Sequence, residues 1–147
     1  MLISFSATGQ GLERSDVIKI TELAFDQDRL PKDLIIKRDV FPMLVISSEN
    51  ETENDYSVNE PKQINIWSNE QIFIVGINYW MVPTSVTRTK NKAEIKYRTT
   101  NYAKGKTDGA TCYVGQIVAR MKKGTWTLAK STFTATECEY DMWAPKK

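Results

Sequence analysis

The sequence contains no histidine in 147 residues. This removes the side chain most often used for proton transfer near neutral pH and the commonest ligand of transition metals. Carboxylates, tyrosine and lysine stay open to catalysis, so the absence narrows enzyme chemistry without closing it. Cysteine is nearly as scarce, with Cys112 and Cys138 alone. Two thiols without histidine leave most of a tetrahedral zinc shell unsupplied, so no metal site is expected. No apolar run approaches the roughly 20 residues that a membrane-crossing helix needs, so no transmembrane segment is expected. No motif implies a cofactor.

Formal net charge is only +2, but it is unevenly placed. Residues 1–80 hold seven Lys/Arg against thirteen Asp/Glu, whereas residues 81–147 hold thirteen against five. A basic half of this kind can mark a polyanion-binding face. It can equally mean that a basic sheet and acidic helices attract each other, or that lysines coat the solvent side of strands and blunt sheet edges. Hydrophobic and charged contents of 41% and 26% are ordinary for a globular chain, and the length suits one domain with a real core. The division expected is a possible signal-peptide remnant at residues 1–10 and a single domain over residues 11–147.

The clearest periodicity lies between Val82 and Ala135. Four strands are predicted there: Val82–Arg88, Ala93–Tyr102, Thr111–Met121 and Thr125–Ala135. Ala93, Ile95, Tyr97 and Thr99 alternate with Glu94, Lys96, Arg98 and Thr100, the period of two of a half-buried strand. Tyr113, Gly115, Ile117, Ala119 and Met121 alternate likewise with Val114, Gln116, Val118 and Arg120, and Trp126 and Leu128 resume the apolar row. Thr89-Lys90-Asn91-Lys92 and Lys122-Lys123-Gly124 read as hairpin turns, Gly124 supplying the positive φ such turns need. A meander with one apolar face has to be covered, and the N-terminal half must do it. The fold class expected is therefore α+β: an antiparallel four-stranded C-terminal meander packed against an N-terminal helix, with one or two short extra strands and a short second helix.

Upstream, Met1 to Gln10 reads as the end of a secretory signal, an apolar segment running into Ser6, Ala7, Thr8 and Gly9. On that reading the mature chain starts near Gln10 or Gly11 and the protein is secreted or periplasmic; the other reading is an ordinary frayed N-terminus. Ser15 is the expected N-cap of a helix from Asp16 to about Asp26, with Val17, Ile20, Leu23 and Ala24 as its apolar stripe. Leu30-Pro31 ends it. Leu34–Lys37 and Met43–Ser47 read as strands at a sheet edge, since Pro42 cannot donate to a ladder. The acidic run from Ser48 to Asp55 invites a calcium reading, but it lacks the glycine of a known calcium loop and reads as a solvated loop. Ser68 with Gln71 forms a capping box, and Trp67 can staple onto Ile72, so one or two helical turns are predicted from Asn69 to about Val75.

The turn at Lys122–Thr125 sets a hairpin register in which paired positions sum to about 247. Cys112 then lies opposite residue 135, three positions short of Cys138. A bulge or splayed strand end would bring the pair within disulfide range. A bridge agrees with an exported protein. The alternative is two reduced core thiols.

Ser85-Val86, Lys90-Asn91-Lys92, Ala93-Glu94-Ile95-Lys96-Tyr97, Gly105 through Gly109, Tyr113-Val114 and Gly124-Thr125-Trp126-Thr127-Leu128 together resemble the C-terminal half of a family of small exported bacterial proteins of unassigned role. The closing Gly-x-Trp-x-hydrophobic strand is also similar to cystatin-like and nuclear-transport-factor-2-like sheets, which wrap a curved sheet around a helix. The latter resemblance implies a pocket, but an Asp/His catalytic pair is missing here, and no functional residue carries over.

Three functional readings follow. The first is a non-catalytic exported domain that binds a small molecule or protein on the concave sheet face, lined by Tyr79, Trp80, Tyr97, Tyr113 and Trp126, whose rings offer apolar bodies with polar tips. The same rings could simply fill the core. The second is polyanion binding by an exposed row of Lys96, Arg98, Arg120, Lys122 and Lys123. No RNP-like motif, helix-turn-helix or zinc finger accompanies the row, which disfavours nucleic acid. The third is a carboxylate enzyme using Glu94 or Glu137, although Glu94 falls on the solvent side of its strand rather than in a pocket.

Overall fold

A computed structural model describes residues 12–37, 42–48, 62–101 and 111–138. The expected signal remnant, the acidic run beyond Ser48 and the glycine loop from Gly105 to Gly109 lie outside these residues. Along the chain come helix α1 (Arg14–Asp26), a turn of 3₁₀ helix (Lys32–Leu34), and strands β1 (Ile36–Lys37), β2 (Pro42–Ser48) and β3 (Ile64–Ser68). Helix α2 (Asn69–Val75) follows, and then β4 (Tyr79–Thr89), β5 (Lys92–Asn101), β6 (Cys112–Lys122) and β7 (Thr125–Thr136). The chain is α+β, as the hydrophobic patterning requires.

All seven strands join one sheet in the order β1-β2-β4-β5-β6-β7, with β3 paired to β2. The last four pair antiparallel in sequence order. The sheet is larger than the expected four strands with a short extension, and it is mixed. β2 runs parallel to β3 from Leu44↔Ile64 to Ser48↔Ser68, and meets β4 in parallel at Ile46↔Met81. β2 is therefore an interior strand, not the edge that Pro42 suggested. Pro42 is its first residue, where a missing donor interrupts least.

Two apolar clusters lie on opposite faces. Leu44, Ile46, Ile64, Ile66 and Met81 join Ile95, Tyr97, Ile117 and Trp126 in the main core, which takes Val17, Ile20 and Ala24 from α1. Met43, Val45, Trp67, Trp80 and Val82 point the other way, where Ile72 of α2 and Ile77 cover them. The β2–β3–β4 end is thus buried on both faces, which is why residues 43–48 and 64–68 are buried without alternation.

Each helix starts where its first turn is satisfied. In α2, Ser68 Oγ accepts from Gln71 N–H at 3.2 Å and Gln71 Oε1 accepts from Ser68 N–H at 3.1 Å, the reciprocal box read from sequence. Gly76 closes it in the left-handed region, φ 81°. α1 is capped by Glu13, not Ser15: Asp16 accepts from the Glu13 N–H at 3.4 Å, so the helix begins earlier than expected. Its stripe also includes Thr21, whose hydroxyl meets that of Tyr97 at 3.0 Å in the core.

Candidate functional site

The five aromatic side chains expected to line one concavity do not converge. Trp80 faces the α2 side of the sheet, while Tyr97 and Trp126 belong to the main core on the other side. Tyr97 is fully buried; removal from water pushes its phenol well above its usual range, and the Thr21 hydrogen bond lowers it by less. Trp126 donates from Nε1 to Asp16 Oδ1 at 3.2 Å and lies under the Arg88 guanidinium, 5.3 Å from its ring centroid. Tyr79 packs at the core margin and donates to the Thr111 carbonyl. Tyr113 donates to Asp33 Oδ2 at 2.9 Å, which holds its phenol above the usual value. These rings fill the core or tie helix and turn to strand, and among the described residues they line no pocket in common.

The opposite, outer face of β5–β7 is different. Strand alternation aims Glu94, Lys96 and Arg98 of β5 and Val114, Gln116, Val118 and Arg120 of β6 away from α1, and both described helices pack elsewhere. Lys96, Arg120, Lys122 and Lys123 are exposed as expected, and Arg98 is half-buried. Lys92 and Lys130, which the sequence reading passed over, are exposed on the same side. Lys92 has the same parity as Lys96 and could have been found from it. The register sets Lys92 directly opposite Arg120 on the neighbouring strand. Glu94 pairs with Lys96 at 3.8 Å, so it serves as a surface counter-charge.

The two hairpin turns meet at one end of this face. Lys90 and Asn91 close β4–β5, Lys123 and Gly124 close β6–β7, and Met121 N–H donates to the Asn91 carbonyl at 2.8 Å between them. Lys123 and Gly124 both take positive φ, 50° and 77°, the geometry of a tight primed turn. Lys90, Lys92, Arg120, Lys122 and Lys123 are thereby gathered, and among the described residues none of them has an acidic partner within 4.0 Å.

At the other end, Cys112 and Cys138 form a disulfide with Cα atoms 4.9 Å apart. A register shift between Val118 and Ala119 makes β7 one residue longer than β6, so Cys112 sits opposite Thr136 rather than residue 135. That bulge leaves Cys138 only two positions on. Arg98, Cys112, Val114, Thr136 and Glu137 help line a cleft of about 60 Å³ beside the bridge. It is far below the few hundred Å³ of a typical small-molecule site. Glu137 and Arg98 both line it, and among its described lining residues Glu137 is the one carboxylate.

No protein-family model, curated protein or solved structure matches the chain.

Proposed function

We propose that this is a non-catalytic, exported binding domain whose working surface is the basic outer face of β5–β7, and whose ligand is an anionic polymer. One observation carries the reading. A sheet face left uncovered by the described helices presents Lys92, Lys96, Arg120, Lys122, Lys123 and Lys130 to solvent against the single carboxylate of Glu94 on β5 and β6. Lys92 and Arg120 stand as a direct cross-strand pair of like charge, which folding alone disfavours. The Cys112–Cys138 bridge agrees with a compartment outside the reducing cytoplasm.

The test is direct titration with sulfated glycan and with duplex DNA at two ionic strengths. About five charge contacts should weaken binding several hundredfold between roughly 50 mM and 200 mM salt. Absence of binding to any polyanion at the lower salt overturns the reading.

A further inference from the structure

Resting on that reading, we infer that the centre of the site is the double-turn tip, Lys90, Lys92, Arg120, Lys122 and Lys123, and that its ligand is a glycan carrying sulfate or carboxylate groups. Strand geometry sets Lys92 and Arg120 roughly 5 Å apart at Cβ, with Lys122 about 7 Å further along β6. Several closely spaced anions on one short stretch of polymer can therefore be met at once. The side chains around the tip are hydroxyl-bearing: Thr89, Thr125 and Thr127 are exposed there, and Thr87 and Thr132 continue the surface. They offer sugar hydroxyls donors and acceptors.

What the tip omits narrows the partner. Trp126, the aromatic residue nearest the turns in sequence, is turned into the core, so among the described residues the tip offers bases of a single-stranded nucleic acid no ring to stack on. The exposed large apolar residues Phe73, Ile74 and Val114 lie on α2 and near the start of β6, away from the turns, so among the described residues the tip has no wedge for a lipid surface. The disulfide favours an exterior setting, where anionic glycans are the abundant polyanions.

The like-charged pair makes the inference sharply testable. Lys92→Glu places opposite charges across the ladder, so it should raise the urea midpoint while weakening binding to heparin about tenfold or more. Arg120→Gln and Lys122→Gln should each weaken heparin binding and lower the salt slope by about one. Lys19→Gln, on the exposed side of α1, serves as the control. Heparin and alginate should both compete with labelled heparin, and a short DNA duplex should compete poorly. If the three tip variants bind as wild type while Lys96→Gln or Lys130→Gln does not, the tip is wrong and the broader face stands. Equal competition by duplex DNA overturns the glycan assignment alone. No heparin binding by the wild-type chain at low salt removes both.

Discussion

The indole of Trp126 on β7 donates to the carboxylate of Asp16 on α1, at 3.2 Å and across 110 positions of sequence. The same carboxylate accepts from the Glu13 backbone at 3.4 Å and lies 3.9 Å from Arg88, which in turn covers the Trp126 ring. One acid thus caps a helix, orients an indole and counters a guanidinium, pinning the first turn of α1 to β4 and β7. Asp16→Ala should cost about 2 kcal/mol, with Asp16→Asn nearer 1 because an amide oxygen can still accept from the indole. Urea unfolding checks this: the midpoint should fall with the m-value unchanged. A midpoint within error of wild type for Asp16→Ala would show that the node is ornamental.

At Gly115 a side chain would collide with the neighbouring strand. A Cβ built there would stand 2.2 Å from the Thr132 carbonyl oxygen and 2.5 Å from the Phe133 ring, its cross-strand partner. Phe133 covers the bare backbone, filling the space a side chain would take. Gly115→Ala should therefore cost on the order of 2–4 kcal/mol. Phe133→Ala in the same chain should relieve only part of that loss, because the Thr132 carbonyl remains. Full rescue by the double variant would mean that the ring was the only obstacle.

Signals confined to a few residues were legible in the sequence. The Ser68/Gln71 box gave α2 with the bounds Asn69 and Val75, since a cap is a local arrangement. The turn at Lys122–Thr125 fixed the β6–β7 register to within one residue, and the bulge between Val118 and Ala119 supplied the remaining one. What escaped was non-local. β3 is five buried residues running directly into a helix cap, and its parallel pairing with β2 leaves no turn to read. Missing β3 hid the second core, and with it the face on which Trp80 lies. Residue type alone puts the aromatics in one group, whereas the sheet divides them between two faces. The exposure of Lys96 and Arg120 follows from parity alone, whereas Arg98, of the same parity, is half-buried beside the disulfide cleft.

Removing the bridge should loosen the open end of the β6–β7 hairpin. The cysteines are 26 positions apart, a loop whose closure is worth about 3.5 kcal/mol on the chain-entropy account. Cys112→Ser with Cys138→Ser should lower thermal stability accordingly, and reductant should shift wild type but not the variant. Because the tip cations sit at the opposite end of the strands, heparin affinity below the melting range should be retained. Loss of affinity in a variant still folded by circular dichroism would place the site at the bridge instead.

Tyr97 sets an alkaline limit. Its hydroxyl is buried on Thr21, and its folded value lies above the unfolded one near 10. As pH rises past 10 the unfolded chain loses this proton while the folded chain keeps it, so stability falls. The loss is about 1.4 kcal/mol per pH unit until the folded value is reached, and the contribution is fully present below pH 10. Tyr97→Phe should be less stable than wild type at neutral pH, since Thr21 loses its partner. The gap should narrow as pH climbs above 10. A constant difference between the two chains across that range would contradict the buried, neutral phenol.

Lys123 holds φ 50° in a turn that favours asparagine followed by glycine. Lys123→Asn creates that pair beside Gly124 and removes a long side chain from a left-handed position. It should stabilise the fold by about 0.5–1 kcal/mol, read as a higher urea midpoint. If the tip binds anions, the same change removes one of its five cations, and heparin should be held more weakly with a shallower salt dependence. Stability and affinity would then move in opposite directions at one position, as at Lys92. On that outcome a ligand would account for a lysine held at a conformational cost. Were Lys123→Asn to stabilise the domain and bind heparin as tightly as wild type, the strain at this turn would have no counterpart in recognition.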